Sequence, residues 1–231
     1  MAALTAATQL RDNLLNSARE VSMETIRLLP DAIVAASGIY ALLTLSFPFA
    51  IFFGSMVEAS LIHRLLSWTF SYLSLSSPTT STSSTFTKVC RSSFMSSADY
   101  TALSSLTASA PSGSFPSYPY FILTVASTYL FSSLNKLSKE LESLGPAYSS
   151  RYYSSMVFLG LLSLVFFTFR LNYGCESFLV LLMTLIAGGI VGFFLVEQNT
   201  GLFGLQSMNL IGIPLLRNRT AAGQPIYICP K

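Results

Sequence analysis

Charge is what this sequence lacks most. Charged residues make up 10% of 231, where a soluble domain carries roughly a quarter. So few solvated groups cannot cover a surface in water. The hydrophobic fraction is 52% and the mean hydropathy +0.58, so the solvent must be something apolar. The net charge of +3 excludes the dense basic surface that displaces counterions from nucleic acid. Histidine is almost missing as well. The single His63 excludes a converging histidine set, and no HExxH pattern exists. The three cysteines, Cys90, Cys175 and Cys229, form no CxxC pair and no zinc spacing. Cys229 lies too near the terminus for a prenylation box. Cys90 and Cys175 fall on the same side of a four-span arrangement. A disulfide between them is compatible with that placement, but spacing alone does not show proximity.

The charges that exist separate long uncharged runs. Ala32 to Val57 is bracketed by Asp31 and Glu58 and is long enough to cross a bilayer, which takes about 20 apolar residues. Asp31 is placed to cap this helix, Pro30 separates it from what precedes, and Pro48 is expected to kink it. Phe178 to Val196 lies between Glu176 and Glu197. Met156 to Phe169 is shorter, with Arg151 and Arg170 able to snorkel and Tyr152 and Tyr153 suited to the interface. Tyr118 to Leu134 is the least apolar candidate, because it carries several hydroxyls. It reads either as a span or as a helix lying flat at the interface. These four cores hold no Asp, Glu, Lys, Arg or His, which excludes the usual equipment of ion pumps, proton-coupled transporters and voltage sensors. A passive channel could do without such groups.

Four spans predict both termini on one side. Arg11, Arg19, Arg27, Lys136, Lys139, Arg151, Arg217, Arg219 and Lys231 then share that side, against Arg64, Lys88, Arg91 and Arg170 on the other. Basic residues are retained on the inside.

Five regions are legible: an amphipathic helix over residues 1–29, the first transmembrane helix over 30–57, an amphipathic stretch and Ser/Thr-rich loop over 58–117, a transmembrane helical region over 118–200 and the tail over 201–231. In the first, Ala7, Leu10, Leu14, Val21 and Leu28 make one face of an amphipathic helix. The opening residues do not read as a secretory signal, and a transit peptide is poorly supported because acids offset the arginines. Leu61, Leu65, Trp68 and Tyr72 continue a similar stripe, with His63 and Arg64 off it. His63 therefore reads as a packing or interfacial residue. Ser74 to Ser117 is rich in Ser and Thr and interrupted by Pro78, Pro111 and Pro116, an irregular loop. Gly188 and Gly192 make a small-xxx-small pair, which serves helix packing or reflects ordinary glycine frequency in membrane helices. It is not a nucleotide loop, since no lysine follows.

The tail holds two short apolar runs, Asn209 to Leu216 and Pro225 to Cys229, around RNRTAAGQ. That pattern suggests a hairpin or two extended segments. Leu210, Ile211, Ile213, Leu215, Leu216, Ile226, Tyr227 and Ile228 are too many apolar side chains to leave in water. They are expected to dock on a partner, with Arg217 and Arg219 meeting its carboxylates. A tail folded on its own chain is the competing reading. Asn218-Arg219-Thr220 fits the glycosylation triplet, but the four-span topology places it inside.

An amphipathic start, a few hydrophobic helices without polar centres, and a tail reading NLIGIPLLRNRTAAGQPIYIC together resemble the membrane-embedded minor capsid proteins of large icosahedral double-stranded DNA viruses with an internal membrane. The resemblance implies a virion structural protein that ties a lipid layer to a capsid shell, with capsid proteins as partners. An accessory subunit of an organellar membrane complex has much the same profile, as does a small oligomeric channel or facilitator in which Gly188 and Gly192 pack subunits around a pore. The fold expected is mainly α: a polytopic helical membrane protein with about four transmembrane helices, an amphipathic amino-terminal helix and an extended or hairpin-like tail. The function expected is structural and non-enzymatic: anchoring a protein assembly to a bilayer, in a virion's internal membrane or in a cellular or organellar one. No cofactor, metal, nucleic acid or small-molecule substrate is expected.

Overall fold

The computed structural model describes residues 2–72, 90, 115–138, 141 and 146–210, with the first part of the chain given mostly as backbone. Among the described residues, five long helices make the architecture: α1 (Ala2–Thr44), α2 (Phe47–Tyr72), α3 (Tyr118–Lys136), α4 (Pro146–Asn172) and α5 (Phe178–Phe203). A single 3-10 turn, Leu205–Met208, follows. Local chemistry sets the boundaries. Ser177 caps α5 by accepting the Val180 N–H at 3.4 Å, and Gly204, at φ 75°, closes it. Pro146 opens α4, where its missing N–H is not needed. At the other end of α4 the N–H of Gly174 (φ 62°) reaches the Leu171 carbonyl and that of Cys175 reaches the Arg170 carbonyl, both at 3.0 Å. This is the paired capping pattern of a left-handed helix stop.

α3 sits in the centre. Its residues Pro119 to Ala126 are all buried. α5 runs parallel to it: Ser117 meets Thr184, Tyr129 meets Asn199, and Lys136 meets Glu197. α2 and α4 run antiparallel to it. Phe52 packs on Tyr129 while His63 packs on Tyr118, and Tyr152 reaches Asn135 while Phe166 stacks on Tyr120. α1 packs along α2 as a hairpin, with Tyr40 against Phe49. The bundle therefore has two ends. The disulfide end holds the start of α3 and the α4–α5 turn, where Cys175 is bonded to Cys90. The tail end holds the α1–α2 hairpin tip, the end of α3 and Gly204–Leu210.

Among the described residues, three helical stretches are long and apolar enough to cross a membrane: Phe47–Phe70, Ser150–Asn172 and Phe178–Phe203. Leu28–Thr44 is a shorter apolar one. Large apolar side chains such as Leu43, Trp68, Phe158, Leu179 and Ile190 face outward, the arrangement expected when lipid is the solvent. The chain is a mainly α, polytopic helical membrane protein, and these four apolar segments surround α3.

The four segments are not the four expected. The uncharged run Ala32 to Val57 is not one span but the tip of a hairpin. α1 stops at Thr44 because the ring of Pro48 would meet the Thr44 carbonyl in a continuous helix. Leu45 turns at φ 48°, the Ser46 carbonyl accepts the Ala50 N–H at 3.0 Å, and Pro48 sits in the first turn of α2. Pro30 and Asp31, expected before a helix start, lie inside α1, which runs through them. With the hairpin, the described part of the chain enters and leaves the bundle at opposite ends, unlike the four-span arrangement expected. Ile26 and Leu29 pack near Tyr120 and Phe166 at the disulfide end, whereas α5 leads out at the tail end. At 43 residues, α1 spans about 64 Å and extends beyond the disulfide end. Tyr118 to Leu134 does not lie flat at an interface; it is the enclosed helix. The side chains of Ala7, Leu10 and Leu14, most of Ser74 to Ser117, and the tail from Ile211 onward lie outside the described residues.

Candidate functional site

Two polar layers interrupt the apolar interior. The layer toward the tail end centres on Asn199 of α5. Its Nδ2 donates to Ser55 Oγ of α2 at 2.7 Å and to Tyr129 Oη of α3 at 3.1 Å. One buried amide thus ties three helices. Its backbone carbonyl accepts from Ser207 Oγ of the 3-10 turn at 3.3 Å, which tucks the start of the tail under the bundle. Around it, Gln198 Nε2 donates to the Glu58 carboxylate at 3.2 and 3.4 Å. Lys136 Nζ donates to Glu197 Oε2 at 2.8 Å and to Thr200 Oγ1 at 3.3 Å. Ser133 Oγ of α3 returns to the Tyr129 carbonyl at 2.7 Å and contacts Met208 Sδ at 3.3 Å. The sequence allows this because Glu197-Gln198-Asn199-Thr200 extends a strongly apolar helix by one more turn, and every polar side chain in that turn finds a neighbour.

The layer toward the disulfide end centres on His63. Its Nε2 lies 2.7 Å from the Pro116 carbonyl, to which it donates. The rings of Tyr118 and Phe121 enclose it at 5.1 and 5.3 Å. The Ser117 N–H donates to Thr184 Oγ1 at 3.2 Å. The Ser117 hydroxyl, also buried, has no hydrogen-bond partner among the described residues. At the α4–α5 turn Arg170 and Glu176, each 6% exposed in its side chain, form a two-pronged ion pair at 2.9 and 2.7 Å. The fork geometry satisfies both groups where water does not reach.

The ionisable groups of both layers are engaged with neighbours. Glu58 holds an amide, Glu197 an ammonium, Glu176 a guanidinium and His63 a carbonyl. Among the described residues, no three His, Cys, Asp or Glu side chains come together to hold a metal. What the layers do is crosslink. Hydrogen bonds between helices within a membrane contribute about 0.6 kcal/mol each on average.

The expected site residues fall in two groups. Gly188 and Gly192 face α3. A Cβ on Gly192 would stand 2.8 Å from the Val125 carbonyl oxygen, and one on Gly188 would stand 3.0 Å from the Thr124 Cβ. The α3 and α5 backbones touch there because glycine leaves the space. That face is filled from within the chain, so it is not available to pack subunits around a pore. Of the tail residues, Leu210 is half-buried against the main core beside Met208. Both line an apolar groove of about 620 Å³ with Leu130, Leu134, Phe158 and Leu159. Ile211, Ile213, Leu215, Leu216, Arg217, Arg219, Ile226, Tyr227 and Ile228 lie outside the described residues.

Sequence reasoning missed both layers. It read Glu58 and Glu197 as the limits of spans, yet both belong to membrane-length helices. α2 carries Glu58, His63 and Arg64 within its apolar length, so the expectation of spans without ionisable groups does not hold. The one available signal was the unbroken helical spacing from Phe47 to Tyr72. No family model, curated protein or solved structure matches this chain.

Proposed function

We propose that the chain is a structural membrane protein whose bundle anchors a protein assembly to a bilayer, with the tail beyond Leu210 as the attachment to that assembly. The observation that carries this reading is the use made of the interior polar groups. Asn199, Ser55, Tyr129, Gln198, Glu58 and Lys136 are engaged in binding one helix to another. A bundle whose polar side chains lock its own helices is suited to holding position. An ion-coupled transport path would need such groups to face a passage. The apolar residues between Ile211 and Ile228 support the tail as the docking element, because burying each is worth roughly 1.5 to 3 kcal/mol. The resemblance to minor capsid proteins names one such assembly, a capsid shell around an internal membrane. Its premise of helices without polar centres is weakened by Glu58 and His63.

The test is a truncation after Leu210. It must not begin at Asn209, because Asn209 is buried against the bundle. The chain lacking Ile211–Lys231 is expected to resist carbonate extraction like the full chain but to lose the proteins that co-purify in mild detergent. Full recovery of those proteins would remove the tail from the account. Selective solute flux through reconstituted vesicles would replace the anchoring function with a channel.

A further inference from the structure

We infer that the end of the bundle carrying Cys90–Cys175 faces an oxidising compartment, and that the carboxy-terminal tail leaves the bundle on the opposite, reducing side of the membrane. Basic residues do not settle the orientation once the hairpin is taken into account. Arg27, Arg64 and Arg170 lie on helices toward the disulfide end, and Lys136 and Arg151 on helices toward the tail end. Near-equal numbers beside the bundle give no imbalance of the kind that retention of basic residues on the inside needs.

The cysteines supply the missing asymmetry. The Cα atoms of Cys90 and Cys175 are 5.2 Å apart, inside the range a disulfide spans without backbone movement. Cys175 is held at that spot by independent means. Gly174 and Cys175 complete the capping turn of α4, and the buried Arg170–Glu176 pair clamps the next residue. Two thiols positioned this way at a membrane surface persist as a bond only where the compartment oxidises them; thiols on the cytosolic side are kept reduced. The bond fastens Cys90, from the long connection between α2 and α3, onto the α4–α5 turn. Its position depends on no partner, so the inference stands apart from the anchoring reading.

The test uses the full chain in cell membranes. The chain is denatured with a maleimide polymer, before and after reduction, and adducts are counted by gel shift. With three cysteines in the chain, one adduct is expected before reduction, on Cys229, and three after it. Three before reduction would overturn the inference. The variant Cys229→Ser identifies the protected pair: it is expected to show no adduct before reduction and two after it. Two adducts before reduction would assign the bond to Cys229 and overturn the pairing. Sidedness is read with a protease-cleavable epitope placed after Lys231, in sealed vesicles with their cytosolic face outward. Added protease is expected to remove the epitope. Protection of the epitope until the vesicles are opened would overturn the orientation.

Discussion

α3 and α4 are neighbours of opposite character. α4 holds a strongly apolar window, with a mean hydropathy of 1.8 over its most apolar 18 residues, yet only 11% of that window is buried. α3 carries Thr124, Ser127, Thr128, Ser132 and Ser133 among its apolar residues, and it is the most enclosed helix of the bundle. The difference teaches what hydropathy measures in a membrane protein. It reports contact with lipid, because a lipid-facing side chain has no protein partner to satisfy a polar atom. A helix surrounded by other helices can hold hydroxyls, provided each is spent. Thr124 and Ser133 turn back to the carbonyls four residues earlier, both at 2.7 Å. Ser127 accepts from Ser163 of α4 at 3.3 Å.

Substitutions can break or sharpen this contrast, with stability read by unfolding in mixed micelles. The largest effect is expected from Leu123→Ala on α3, where the side chain is fully buried and the cavity costs about 3 kcal/mol. Leu161→Ala on the outward face of α4 is its counterpart and is expected to change little. Equal losses would mean that α4 is as enclosed as α3. Next comes Gly192→Ala, whose Cβ would collide with the α3 backbone at a cost of about 2 kcal/mol. Gly160→Ala on α4 meets nothing within 4 Å and should be neutral or slightly stabilising, as alanine favours helix. A neutral Gly192→Ala would contradict the close approach. Asn199→Ala removes the donor shared by Ser55 and Tyr129 and is expected to cost about 1 kcal/mol. The smallest effect is at the α3–α4 seam, where Ser163→Ala is expected to cost about 0.5 kcal/mol or less.

The same contrast explains what was legible in the sequence. Phe178 to Val196 was plain because α5, the most apolar stretch with a mean hydropathy of 2.7, turns one side to lipid. Its last turn was hidden because Glu197 and Asn199 reach partners on other helices, and Asn199 and Ser55 lie 144 residues apart. The α1–α2 hairpin was hidden because an uncharged run reports an apolar setting, not a single rod. Pro48 read as a kink, but it marks a helix start. The stripe Leu61, Leu65, Trp68 and Tyr72 was seen correctly as a face. In water that face would be the buried one. Here it is exposed and His63, off the stripe, is inside. The closeness of Cys90 to Cys175 depends on how α4 and α5 meet, which spacing does not encode.

The enclosure of α3 by lipid-facing helices is the claim on which the rest depends. The most direct measurement is labelling from within the bilayer, using a membrane-partitioned carbene reagent followed by peptide mapping of the labelled side chains. The account predicts labels on Val157, Phe158, Leu161, Leu164 and Val165 of α4, and none on Phe121 to Val125 of α3. Labels running along α3 as densely as along α4 would contradict it.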